Sequence, residues 1–191
     1  VTRPPVDLHP ADGEARRALR EQLRHARLNL NIPTSHVANA LGITRGAVTN
    51  YELTAENPST ATLQRYARAI QHRLVITAHL TPDLPVHPAT ANLQAMAANT
   101  EDPTTADMYS RSALLTHLIA HRRWLGLSGE DIAVRSGMAR KGGAVSEFEA
   151  DLKDAKLGTY QRYARALGGW LEMALEPVNP DPNTNPEGET P

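Results

Sequence analysis

Three short stretches hold the side chains with the most chemistry to offer. In "ITRGAVTNYE", Arg45 and Asn50 are residue types that make paired hydrogen bonds to planar partners. A guanidinium donates twice in parallel, and a carboxamide donates and accepts side by side. Thr44 and Thr49 add hydroxyls, and Gly46 permits close approach to the backbone. In "ARKGGAVSEFE", Arg140, Lys141, Ser146 and Glu147 make a different set, because Glu147 only accepts. In "HLIAH", His117 and His121 have the i, i+4 spacing of two metal ligands on one helix face. A zinc hydrolase helix would need Glu at position 118, which is Leu118, and a third ligand. These histidines therefore read as ordinary helix-face residues. With no cysteine in the chain, thiolate metal sites, disulfides and cysteine nucleophiles are excluded. No phosphate-binding Gly-Lys loop, dinucleotide loop or nucleophile elbow is present. No catalytic residue, metal or cofactor is expected, and the chemistry that remains is recognition.

The residues that must position these side chains occur in two copies. "QRYARA" stands at residues 64–69 and again at 161–166. At the same offset of 97, Ala47-Val48 matches Ala144-Val145, Glu52 matches Glu149 and Thr62 matches Thr159. Upstream the offset is 95, pairing Asp12 with Asp107, Leu19 with Leu114, Leu23 with Leu118 and Arg27 with Arg122. Leu30, Ala38 and Gly42 likewise match Leu125, Ala133 and Gly137, so a two-residue insertion lies between Gly137 and Ala144. The expected organisation is an N-terminal arm at 1–11, a first module with a trailing strand at 12–80 and a linker at 81–106. A second, divergent module with its own strand covers 107–177, and a Pro-rich acidic tail at 178–191 is expected to be disordered. Net charge is −1 overall, but residues 14–80 carry +5 and residues 111–176 carry +2, the acids lying between and after them. No apolar run reaches the ~20 residues of a membrane span, and the start lacks a signal pattern, so a soluble cytoplasmic protein is expected.

Local patterns set the elements. Asp12 is a plausible N-cap for a helix whose Leu19, Leu23, Ala26 and Leu30 form one stripe. Pro33 suits the first turn of "TSHVANAL", Gly42 the positive-φ stop after it, and Thr44 the cap of "RGAVTNYE". In the helix around "QRYARA", Leu63, Tyr66, Ala67 and Ile70 face inward, which leaves Gln64, Arg65 and Arg68 outward and solvated. "HRLVITAHL" and "GWLEMALEP" alternate with period two and read as half-buried strands. Neither has a partner within its own repeat, so they are expected to pair with each other and clamp the repeats into a covalent pseudo-dimer. A continued helix is the competing reading.

Short helix, glycine turn, short helix is a helix-turn-helix. "TSHVANALGITRGAVTNYE" resembles the Cro/C1-type (lambda-repressor-like, XRE) domain, with small Ala38, Gly42, aliphatic Val48 and Glu52 as its hallmarks. "SGEDIAVRSGMARKGGAVSEFE" is similar, with a turn two residues longer. The fold class expected is mainly α: two tandem bundles of this type, joined by a two-stranded β pairing. The resemblance implies that an Arg on the first helix pairs with the Glu closing the third, here Arg27 with Glu52 and Arg122 with Glu149.

By motif position Thr44, Arg45, Gly46, Thr49 and Asn50 would face double-stranded DNA, with Thr34 on phosphate. Arg45 could take guanine and Asn50 adenine. Arg140, Lys141, Ser146 and Glu147 hold the corresponding surface, which either reads other bases or is degenerate and serves packing alone. The function implied is a bacterial or phage transcriptional repressor reading an asymmetric or pseudo-palindromic operator. Two other classes stand beside it: an antitoxin that holds a toxin partner and autoregulates its operon, and a purely protein-binding adaptor. Self-association is compatible with each.

Overall fold

A computed structural model of the chain describes residues 9–138, 143–150 and 154–178. The N-terminal arm up to residue 8, Arg140, Lys141 and all but the first residue of the expected tail lie outside the described residues. The first repeat runs α1 (Pro10–Asn29), α2 (Thr34–Leu41), α3 (Arg45–Thr54), α4 (Thr60–Ala69) and β1 (His72–His79). A connecting helix, α5 (Pro88–Asn99), follows. The second repeat runs α6 (Pro103–Trp124), α7 (Gly129–Ser136), α8 (Gly143–Glu149), α9 (Leu157–Ala166) and β2 (Trp170–Pro177). The molecule is mainly α with one small antiparallel sheet. Among the described residues no helix is long and apolar enough to cross a membrane.

Each repeat has a core built from equivalent positions, and the other repeat helps close it: Leu157, Met173 and Leu175 pack on the first, Ile76, Ala78 and Leu80 on the second. Leu19, Leu23, Val37, Val48, Tyr66, Ile70 and Leu74 are buried in the first. Leu114, Leu118, Ile132, Val145, Tyr163, Leu167 and Leu171 are their counterparts in the second. Phe148 fills out the second core, meeting Tyr160 edge-on at a centroid distance of 4.9 Å. Burying a side chain of this size stabilises by about 1.5–3 kcal/mol, so each stripe matters more than any surface contact.

β1 and β2 pair antiparallel from His72↔Pro177 to His79↔Trp170. Ile76 lies opposite Met173, and these two are equivalent residues at the offset of 97. A pseudo-two-fold axis therefore passes through that pair. Gly169 is needed here, since a Cβ at this position would come within 2.2 Å of the His79 carbonyl oxygen.

The same axis relates a second belt of contacts. Thr60 N–H donates to the Ala155 carbonyl at 3.1 Å, and Leu157 N–H donates to the Pro58 carbonyl at 3.0 Å. The Asn57 side-chain oxygen accepts from Gly158 N–H at 2.9 Å, and Asp154 accepts from Ala61 N–H at 3.0 Å. Each repeat thus supplies an acceptor to the first turn of the other's last helix, where backbone donors otherwise lack partners.

Two local expectations are corrected. Asp12 is not a cap: α1 starts at Pro10 after His9, which makes no side-chain cap bond. Asp12 is 3% exposed and its carboxylate is held by Arg165, with Nη2–Oδ1 at 2.8 Å. Gln64 and Arg68 are not solvated. Gln64 is buried and donates to the Asp107 carbonyl at 3.2 Å, while Arg68 pairs with the Asp107 carboxylate. The mirror contacts are Gln161 on the Asp12 carbonyl at 3.2 Å and Arg165 on the Asp12 carboxylate. Arg16 closes the set by donating to Gln161, and Arg111 does so to Gln64. Helical periodicity had turned these residues outward from their own repeat, and the other repeat covers them. Only Arg65 of that expectation stays exposed.

Candidate nucleic-acid interface

The α2–α3 unit is set by small local choices. Ala38 is 2% exposed, so α2 lies close under its neighbours. Gly42 ends α2 with φ +68°, a left-handed conformation that costs a non-glycine residue about 1–2 kcal/mol. Thr44 caps α3 by accepting the Ala47 N–H at 3.1 Å. Val48 and Glu52, one turn apart, point into the repeat. The opposite face of α3 is then left to solvent, and Thr44, Arg45, Gly46, Thr49 and Asn50 are all exposed there. Thr34 is half-buried at the start of α2.

Two details bear on what that face can do. The Thr49 hydroxyl donates to the Arg45 carbonyl at 3.2 Å, and the Arg45 side chain is exposed. The Thr54 hydroxyl lies 2.9 Å from the Asn50 side-chain oxygen. That contact orients the carboxamide, whose oxygen has a second lone pair and whose nitrogen has two donors.

α3 is locked to α1 by an ion pair. Arg27 meets Glu52 through two parallel bonds, Nε–Oε1 at 2.7 Å and Nη2–Oε2 at 2.9 Å, and donates a third to the Ile32 carbonyl at 3.0 Å. The Tyr66 hydroxyl donates to the same carboxylate. Burial opposes ionisation of Glu52, but the hydrogen bonds from Arg27 and Tyr66 prevail and hold its carboxyl below the usual range. Burial, reinforced by the bond to Glu52, pushes the Tyr66 phenol well up, so it stays a donor. The second repeat reproduces the triad: Arg122 to Glu149 at 2.8 Å and the Tyr163 hydroxyl to Glu149 at 2.6 Å.

The two heads differ at the N-terminus of the second helix. In α2 the flanking residue is Pro33, which makes no side-chain cap bond, and the first turn has no acid. Its opening N–H groups and the positive end of its dipole are available to an anion. At the equivalent place in α7, Ser128 and Asp131 form a reciprocal capping box, and Glu130 and Asp131 occupy the first turn. Hydrogen bonds from Ser128 hold the Asp131 carboxyl below its ordinary value, so it is charged at neutral pH. An anion that α2 attracts, α7 repels. On α8, Ser146 and Glu147 are exposed, with Val145 and Phe148 turned inward. Pro33 and Ser128 with Asp131 thus set a difference between the heads that the motif positions alone do not show. The signal available was the "SGED" string, a capping-box pattern standing where the first repeat has "PTSH".

Comparison with known proteins bears on one part of the chain. Over 73 residues it is 41% identical to proteins named antitoxin HigA1 from two strains of Mycobacterium tuberculosis, CDC 1551 / Oshkosh and ATCC 25618 / H37Rv. The match covers 38% of this chain and 48% of theirs, so the chain spans about half the length of the curated relatives it matches. No family model matches. No solved structure matches either.

Proposed function

We propose that this chain is a regulator that binds double-stranded DNA sequence-specifically through α2 and α3, with repression by occlusion of a promoter as the outcome. The observation that carries the reading is the pairing of an uncapped, acid-free α2 N-terminus with an exposed Arg45–Asn50 face on α3. The first feature suits phosphate and the second suits base edges. The net charge of residues 14–80, +5, supports it. The second head, with its acidic capped α7, contributes less to affinity. One chain then occupies one asymmetric site of roughly 10–20 base pairs, since a fused dimer is free of the symmetry a homodimer imposes.

Selection of bound fragments from a random duplex pool tests this directly. An asymmetric motif should emerge, with one chain per site by sedimentation and binding that falls steeply with salt, each neutralised phosphate adding about −0.9 to the log–log slope. Arg45→Ala should relax one base position at a cost of about 1–3 kcal/mol. A pool that enriches nothing at low salt, or two chains on a perfect palindrome, would sink the proposal. A second reading is favoured by the similarity to antitoxin HigA1: a chain that holds a toxin partner, with DNA binding autoregulatory. A small toxin-like reading frame beside the gene, and its co-purification with the chain, would support that reading.

A further inference from the structure

A different site lies away from the α2–α3 face, between the connecting helix and the sheet. α5, α6, β1 and the segment joining β1 to α5 bound a cavity of about 420 Å³. That volume falls in the range of small-molecule sites, roughly 300–1,000 Å³. Leu74, Leu84, Ala97 and Leu114 give it an apolar lining. Polar side chains share the lining with them, including Arg73, Asp83, Gln94, Arg111 and His117. Thr90, Gln94 and Ala97 share one face of α5, and the Thr90 hydroxyl is buried, 1% exposed, with no hydrogen-bond partner within the protein. A buried orphan hydroxyl costs about 1–3 kcal/mol and calls for an explanation.

The cavity wall carries two cations. Arg73 and Arg111 line it with the carboxylate of Asp83, and Glu176 pairs with Arg73 at 2.6 Å. Burial, followed by neighbouring His121, holds the His117 imidazole below its ordinary value against the pull of Asp83, so it is neutral at pH 7. Arg111 spends one donor on Gln64 and Arg73 one on Glu176, while each guanidinium has five N–H groups. The lining thus combines apolar side chains, two guanidinium groups and an unused hydroxyl.

We propose that this cavity binds a small amphipathic carboxylate, its apolar body against Leu114, Leu84 and Ala97 and its carboxylate on Arg111, Arg73 and the Thr90 hydroxyl. Because Arg111 also holds Gln64, the ligand bears on one of the two mirror-related contacts that join the repeats. α5 has no counterpart ahead of α1 among the described residues, so the site belongs to one side of the pseudo-dimer only. The site is independent of the DNA reading and stands if that reading fails.

Calorimetry on the full chain with octanoate, 1-octanol and octylammonium tests it, since the three probes share a body and differ in head charge. Octanoate should bind one per chain, at least tenfold more tightly than octanol, and octylammonium should not displace it. Ala97→Phe should fill the cavity and abolish the octanoate signal. Thr90→Val should weaken octanoate severalfold without lowering the thermal midpoint, which keeps the test intact if the filled variant does not fold. Octanol binding as tightly as octanoate, unchanged binding by both variants, or no octanoate binding at millimolar concentration would each overturn the proposal.

Discussion

Replacing Arg27 by Ala removes two bonds to Glu52 and one to the Ile32 carbonyl, and leaves a 7%-exposed carboxylate with Tyr66 as its remaining donor. Breaking a buried pair from one side costs about 3–5 kcal/mol, because the surviving charge has no compensation. Removing both partners, as in Arg27→Met with Glu52→Leu, should cost far less, since apolar groups of similar volume replace the pair. The pH dependence separates this cause from loss of packing. Glu52 titrates below its ordinary value in the folded wild type, so its contribution is full above the unfolded value and is lost as pH falls through the folded one. In Arg27→Ala the stranded carboxylate gains by taking up a proton. The gap between wild type and variant should therefore be widest at pH 7, begin to narrow as pH falls through the raised value of the stranded carboxylate, and go on narrowing below about 4.5. Urea midpoints and slopes from pH 7 down to the acid limit of folding measure it. A cost under about 1 kcal/mol at pH 7, where the broken-pair value is expected, would refute the argument. A cost that does not change with pH would show that Arg27 acts through packing alone.

Gln161→Ala removes the acceptor of the buried Arg16 guanidinium, leaving its bond to the Glu56 carbonyl, and should lower stability by about 1–3 kcal/mol, read from the urea midpoint. Gly42→Ala meets no atom within 4 Å but must adopt φ +68°, so it should cost about 1–2 kcal/mol of pure backbone strain; an unchanged thermal midpoint would show that the turn relaxes. Glu130→Lys with Asp131→Asn removes the acids at the α7 N-terminus and should raise DNA affinity and steepen the salt slope, seen by fluorescence anisotropy. An unchanged slope would place α7 away from the DNA.

What could be read from the sequence was local, or forced by an unsatisfied group. Gly42 and Thr44 announce a turn and a cap through their own backbone chemistry. The strands were legible from period-two alternation, and their pairing from the cost of bare strand edges. Arg27 and Glu52 stand at positions the domain resemblance points to, and two of their bonds join them in the structure. Gln64 and Arg68 were misread because helical periodicity reports which face meets its own repeat and says nothing about a second repeat, and Asp12 because its residue type suits a cap as well as an ion pair. A signal did exist. Asp12, Arg16, Gln64 and Arg68 are each the same residue in both copies, although they stand outside their own apolar stripes. Identity at these four polar positions, in a pair whose α3 and α8 surfaces differ, accompanies a shared contact, although Arg65, identical to Arg162, stays exposed.

That contrast explains the doubled string and what each half is free to do. Tyr66 and Tyr163 anchor the ion pair inside their own repeat, while Gln64, Arg68, Gln161 and Arg165 hold the first helix of the other. Each bond across the axis uses a residue from one copy and its partner's equivalent from the other. A change in one copy therefore breaks a contact that the other copy cannot restore, and the string is held constant in both. Nothing ties α2 to α7 in this way. One of those N-termini is an open, acid-free turn and the other a closed acidic cap. The frame is symmetric because its two sides must fit each other. The heads can be unequal because no contact across the joint requires α2 and α7 to match.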